Sequence, residues 1–147
     1  MLHLPSDLTY SVMVRDDNLP SHLQGKIKAC YQHVCDYVIR TLQNDKIGLP
    51  AEQPAESPND IRVYGCKISG NAQVRFKSSQ GVVFLQHGTL LYDYDINLLR
   101  DLIPDKNPGA IGWVKKWRDV SRETLYMAMV DSFTKGKEWM IGEISKD

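Results

Sequence analysis

Lys67 stands in the most specific stretch of the sequence, Asn59-Asp60-Ile61-Arg62-Val63-Tyr64-Gly65-Cys66-Lys67-Ile68-Ser69-Gly70-Asn71-Ala72-Gln73. It falls just past a tight turn and is followed by the small residues Ser69, Gly70 and Ala72. Small residues beside a lysine leave room for a ligand to lie against the backbone. An ammonium held in such a slot suits a carboxylate or phosphate oxygen, and it stabilises charge that develops in acyl or phosphoryl chemistry. A lysine pointing to water from a strand edge fits the same residues. A second cluster is Leu85-Gln86-His87-Gly88-Thr89-Leu90-Leu91, where a His-Gly pair interrupts a β-run. That pair marks a bulge or a close backbone approach. His87 suits a base, a substrate contact or a hydrogen-bonded structural role. Asp93 and Asp95, two apart, fit a metal contact or the cap and dipole partners of a helix start. No metal site is assigned.

The three cysteines are Cys30, Cys35 and Cys66. The first two lie five apart, about 140° around a helix of 3.6 residues per turn, so they cannot share a metal. No paired-cysteine zinc spacing exists. Buried free thiols in a reducing compartment are expected, with the cytoplasm as the address.

These residues need elements to position them. Leu8 to Val14 alternates apolar with small or polar residues and predicts a strand, ended by Asp16-Asp17-Asn18. From Pro20, apolar residues at Leu23, Ile27, Cys30, Tyr31, Val34, Cys35, Val38, Ile39 and Leu42 predict one long helix, with Ser21 or Asn18 near its start. Pro50, Pro54 and Pro58 then predict a surface loop. Ile61-Arg62-Val63 and Lys67-Ile68-Ser69 read as strands about a turn containing Gly65, followed by short strands over Ala72–Lys77 and Gly81–Leu91. Asp93 and Asp95 bracket a helix start, and Pro104 to Gly112 is loop. Ser121 is the expected N-cap of a last amphipathic helix carrying Leu125, Ala128, Met129 and Phe133. The expected fold is α+β, a mixed or antiparallel sheet packed with helices, in one domain over residues 1–147.

The chain has 147 residues, and eighteen Lys and Arg cancel eighteen Asp and Glu. Without a basic excess or run, a phosphate-backbone binder loses its electrostatic footprint, so no nucleic-acid partner is expected. No apolar stretch approaches the ~20 residues of a membrane span. The segment Met1 to Asp7 lacks the basic flank and apolar run of a signal peptide.

Asn59-Asp60, the Gly-x-Lys-Ile-Ser-Gly-Asn-Ala of residues 65–72, and Gln86-His87-Gly88-Thr89-Leu90-Leu91 with Asp93-Tyr94-Asp95 resemble, in order and spacing, the lipoate–protein ligase family, within the group that includes biotin ligases. Leu8-Thr9-Tyr10-Ser11-Val12 resembles the family's strand after its glycine-rich loop, and Val120 to Phe133 its closing helix. The resemblance implies a two-step acyl transfer. Lipoate or octanoate condenses with ATP, brought as its Mg²⁺ complex, to an acyl-adenylate. The acyl group then passes to a lysine on a lipoyl carrier domain or a glycine-cleavage H-like protein. By the same resemblance Lys67 contacts the acyl carboxylate and the adenylate phosphate. Ser69, Gly70 and Ala72 line an acyl tunnel, Asp60 contacts the nucleotide, and His87 and Gly88 support the pocket.

One departure is large. The family's Arg-Arg-x-x-Gly-Gly-Gly-Ala-Val-x-His segment is matched only at its last two positions, by Leu2-His3, which makes His3 a substrate-binding candidate. Glycine-rich backbone lets amides reach phosphates. The domain is therefore expected to be short at its N-terminus and inactive alone. A separate chain supplying the missing half, a truncated reading frame and a non-catalytic remnant all fit. A cysteine-dependent octanoyl or lipoyl transferase of the same fold is the alternative chemistry. Its nucleophile belongs on the loop before the lysine strand, and Pro50–Pro58 holds no cysteine.

Overall fold

A computed structural model describes residues 6–102 and 107–136. Its sheet has five strands, β1 (Leu8–Arg15), β2 (Ala51–Glu52), β3 (Asp60–Val63), β4 (Cys66–Ser78) and β5 (Gly81–Leu90). They pair antiparallel throughout in the order β1-β5-β4-β3-β2. Four α-helices accompany them: α1 (Ile27–Gln43), α2 (Ile96–Leu102), α3 (Val114–Trp117) and α4 (Arg122–Thr134). This is the expected α+β class, with the sheet antiparallel. No helix of the described residues is long and apolar enough to cross a membrane.

One face of the sheet carries the core. Alternation sends Leu8, Ile61, Val63 and Leu90 inward, against Cys35, Val38 and Leu42 of α1 and Leu125, Ala128 and Met129 of α4. The other face leaves Met13, Val74 and Phe76 exposed. They fall on neighbouring rows, since Met13 and Val74 both pair with Leu85 while Phe76 pairs with Val83. Ser121 caps α4 as expected, its hydroxyl accepting from the Thr124 amide.

Three expectations are corrected. The long helix starts at Ile27, not near Ser21 or Asn18, because Gly25 takes a φ of +71° and ends the preceding turn. Leu23 therefore lies in that turn, though it still packs with Cys30, Val34 and Phe84. The proline-bounded loop holds β2, two residues pairing Ala51 with Val63 and Glu52 with Arg62. An edge position tolerates flanking prolines because one side of the strand needs no ladder donors. Finally, the strands placed separately at Lys67–Ser69 and Ala72–Lys77 are one continuous β4.

Candidate active site

Tyr64 and Gly65, both at positive φ (50° and 76°), form the two-residue turn between β3 and β4. Positive φ at both central positions matches the twist of the flanking strands. Immediately after it, the register shifts. Cys66 pairs with Val63 and Lys67 with Arg62, but Ser69 pairs with Ile61, so β4 carries one extra residue. Burial runs unbroken through Ile68, Ser69, Gly70 and Asn71. A bulge of this kind re-aims side chains. Uninterrupted alternation would set Lys67 on the face of Ser69 and Asn71. The bulge turns it to the opposite face, with Asp60, Gly70 and Ala72.

The ammonium confirms that placement, since Lys67 Nζ lies 2.5 Å from Asp60 Oδ1. The Lys67 side chain is 45% exposed and that of Asp60 only 13%. Asp60 is held in turn: Oδ2 accepts from Ser57 Oγ at 2.8 Å, and its amide donates to the Ser57 carbonyl. Asn71 fastens the start of β3, its amide and its Nδ2 both donating to the Asn59 carbonyl. On the other side of β4, the Gly112 amide donates to the Lys67 carbonyl at 2.9 Å, and Ile111 forms a parallel bridge with Lys67. The lysine backbone is thus fixed from both neighbours while its head remains accessible. An anionic ligand arriving here meets a cation whose partner among the described residues is the Asp60 carboxylate.

Rows across the sheet continue this face. Gly70 pairs with Thr89, and Thr89 with Thr9; Ala72 pairs with His87, and His87 with Ser11. The structure therefore brings Asp60, Lys67, Gly70, Ala72 and His87 to one face. Ser69 and Gly88 go to the other. Ser69 lies buried beside the Tyr10 phenol. At Gly88 the register is regular, so the His-Gly pair marks a close approach and no bulge. Tyr10 Oη donates to Asn71 Oδ1 across β5, and a Cβ on Gly88 would lie 2.3 Å from that oxygen. His3 lies outside the described residues.

Asp93 and Asp95 have structural partners. Asp95 accepts from the amides of Asn97 and Leu98 at the start of α2, and Asp93 pairs with Lys115 at 3.3 Å. No group of three or more His, Cys, Asp or Glu among the described residues is placed to hold a metal.

All three thiols lie away from Lys67's face. Burial pushes the Cys35 thiol up to about 12, with Asp36 adding to the rise. Burial also raises Cys30, against the lowering effect of Arg75. Cys66 shares the face of Val63, and its Sγ donates to the Gly109 carbonyl.

Sequence reasoning missed the bulge and Gly112. Nothing in Lys67-Ile68-Ser69 announces an inserted residue. For Gly112 a signal existed in the aromatic Trp113 and Trp117 that follow it. A Cβ there would lie 2.1 Å from the Trp117 ring, so glycine lets the indole rest on the backbone beside Cys66.

A family model for the lipoyl protein ligase A/B catalytic domain matches residues 1–134. The octanoyltransferase LipM of Staphylococcus epidermidis is 33% identical over 118 residues, covering 69% of this chain and 41% of that protein. A bi-partite lipoate protein ligase of Thermoplasma acidophilum, described with its E2 lipoyl domain, superposes with a TM-score of 0.75 at 22% identity, covering 98% of this chain and 57% of that one. Lipoate-protein ligase A bound with ATP gives 0.73 at 19% identity, covering 96% and 57%. The chain spans less than half the length of the curated relatives it matches. Residue motif, fold and matched length agree: the chain belongs to the lipoyl protein ligase A/B catalytic-domain family, the ligases and transferases of lipoate and octanoate.

Proposed function

We propose that the chain is the lysine-bearing part of an ATP-dependent lipoate–protein ligase. In the first step a carboxylate oxygen of lipoate or octanoate attacks the α-phosphorus of ATP, and pyrophosphate leaves. In the second, the amine of a carrier lysine attacks the acyl carbonyl, an amide forms and AMP leaves. Lys67 supplies positive charge to the acyl carboxylate and the α-phosphate, whose charges would otherwise repel. Asp60 orients the ammonium and yields it when the anion arrives. Exposed Ala72 leaves room for the acyl chain beside the buried Gly70, and exposed His87 borders the same face. Ser69 and Gly88 act from beneath, by packing. Mg²⁺ enters with the nucleotide as part of the substrate, and the three free thiols suit a reducing compartment such as the cytoplasm.

The single observation that carries this reading is the bulge that turns Lys67 onto an open face beside Asp60, with no thiol on that face. The experiment follows the mass of an unacylated lipoyl carrier domain incubated with the chain, the family's arginine- and glycine-rich segment supplied as a separate polypeptide, lipoate, ATP and Mg²⁺. An added lipoyl mass that requires ATP is expected. Transfer from an octanoyl thioester donor without ATP would replace this reading by the second one, thiol-mediated octanoyl transfer. The named relative favours that second reading. It needs an accessible thiolate near the lysine, however, and Cys66, the one thiol that is not buried, faces away.

A further inference from the structure

One row of the sheet carries a line of hydrogen bonds on the face opposite Lys67. Tyr10 of β1 pairs with Gly88 of β5, and Gly88 pairs with Asn71 of β4. Tyr10 Oη donates to Asn71 Oδ1, crossing β5 at the position where Gly88 has no side chain. On its other side Asn71 donates from Nδ2 to the Asn59 carbonyl at 3.1 Å, and its amide donates to the same carbonyl at 2.9 Å. Asn59 precedes Asp60, the carboxylate that meets Lys67.

The far end of the line fixes its direction. A carbonyl only accepts, so Nδ2 must face Asn59, Oδ1 must face Tyr10, and the phenol must donate. A carboxamide answers both neighbours, whereas a carboxylate would offer Asn59 no donor. Burial raises the Tyr10 phenol far above its usual range, so it keeps the proton that it donates. Its ring is held against Phe133 of α4, 5.6 Å between centroids. Asn71 is 4% exposed, and a polar group buried to that degree is costly to leave unpaired.

The row bears on the site because the other holds on Asp60 are local. The Asp60 amide donates to the Ser57 carbonyl, and Oδ2 accepts from Ser57 Oγ, both within three residues along the chain. On the sheet side the bulge interrupts the ladder between Asp60 and Lys67. The Asn71 clamp lies on Asp60's side of that interruption and ties its turn to the lysine strand.

We propose that Asn71, held by Tyr10 across Gly88, is a positioning residue of the Lys67 site: it fixes the Asn59–Asp60 turn, and through it the carboxylate that aims the Lys67 ammonium. The catalytic consequence rests on the acyl-activation reading of Lys67; the control of the ion pair rests on geometry alone. A displaced Asp60 would mis-aim the charge, and small errors of position are costly in rate.

The test reads the ammonium directly and needs no turnover. Acetylation of single lysines by the N-hydroxysuccinimide ester of acetic acid is followed by peptide mass in the full chain, with exposed Lys28 and Lys77 as internal controls. Asp60→Asn frees the ammonium and sets the upper rate. Tyr10→Phe and Asn71→Ala should each speed Lys67 acetylation by about threefold, with both controls at their parent rates. Neither should add to Asp60→Asn. Tyr10→Phe keeps the ring and its packing, so it carries the test if Asn71→Ala folds poorly. In the chain completed with the arginine- and glycine-rich segment, Tyr10→Phe should lower kcat for pyrophosphate release by about fivefold and leave KM for ATP and lipoate near the parent values. Lys67 acetylation unmoved by Asp60→Asn or by Tyr10→Phe, a rise shared by the control lysines, or a full rise still seen without Asp60 would overturn the proposal. The expected acetylation pattern with no pyrophosphate release from the completed parent chain would instead remove the ligase reading and leave the positioning role standing.

Discussion

Lys67 and Asp60 show how one residue's chemistry depends on its neighbours. Their contact is a partly exposed ion pair, and such pairs contribute little to stability, about 0–1 kcal/mol. The pair makes more sense as positioning than as a fold contact. The thiols lead to a sharper expectation. Cys35 stays protonated in the folded chain well above its ordinary value of 9.0, because burial penalises the thiolate. The unfolded chain gives up that proton first, so stability is complete below about pH 9 and declines as pH rises toward about 12. Urea midpoints at about pH 8 and about pH 10.5 should show this fall, and Cys35→Val should reduce it. In the same chain Cys66 should be the first thiol alkylated, and Cys66→Ser should leave ATP-dependent acylation intact.

At the scale of elements, the β4 bulge and the β1–β5–β4 rows determine which motif residues share a face. Much of this was legible. The turn at Gly65, the strand at Gly81–Leu91, the cap at Ser121 and the stretch around Lys67 all follow from turn chemistry and period. The faces did not. A one-residue register shift moves every later side chain to the other side of the sheet, and composition carries no trace of it. Ser69 was grouped with Gly70 and Ala72 for that reason. The late start of α1 was equally hidden, because the apolar spacing runs straight through Gly25. For Gly88 the sequence leaves a bulge or a close backbone approach open, and the structure shows the close approach and supplies its atoms. Gly88→Ala would drive a methyl between Tyr10 Oη and Asn71 Oδ1, which are 2.5 Å and 2.3 Å from the ideal Cβ. Overpacking of this kind costs about 1–3 kcal/mol. Thermal melting should show a loss of about 2–4 °C for each of those kcal/mol.

Across the whole molecule, the two faces of the sheet have different tasks. The helix-covered face holds the core, and the other presents Lys67 at one end and exposed Met13, Val74 and Phe76 at the other. Zero net charge fits a chain acting on a small acid and a protein carrier better than one acting on a polyanion. Family and fold class were within reach of the sequence because the Lys67 motif is specific and its flanks keep their order. The chain covers 57% of the length of each of the two solved relatives. The central claim is that Lys67, turned out by the bulge, stabilises charge during acyl activation. The most direct measurement is acyl-adenylate formation, by pyrophosphate release from ATP and lipoate, in the chain completed with the arginine- and glycine-rich segment. Loss of one preorganised charge should slow Lys67→Ala by roughly 10²–10³-fold, with its melting temperature held near that of the parent chain. Pyrophosphate release in Lys67→Ala at the parent rate would contradict the account.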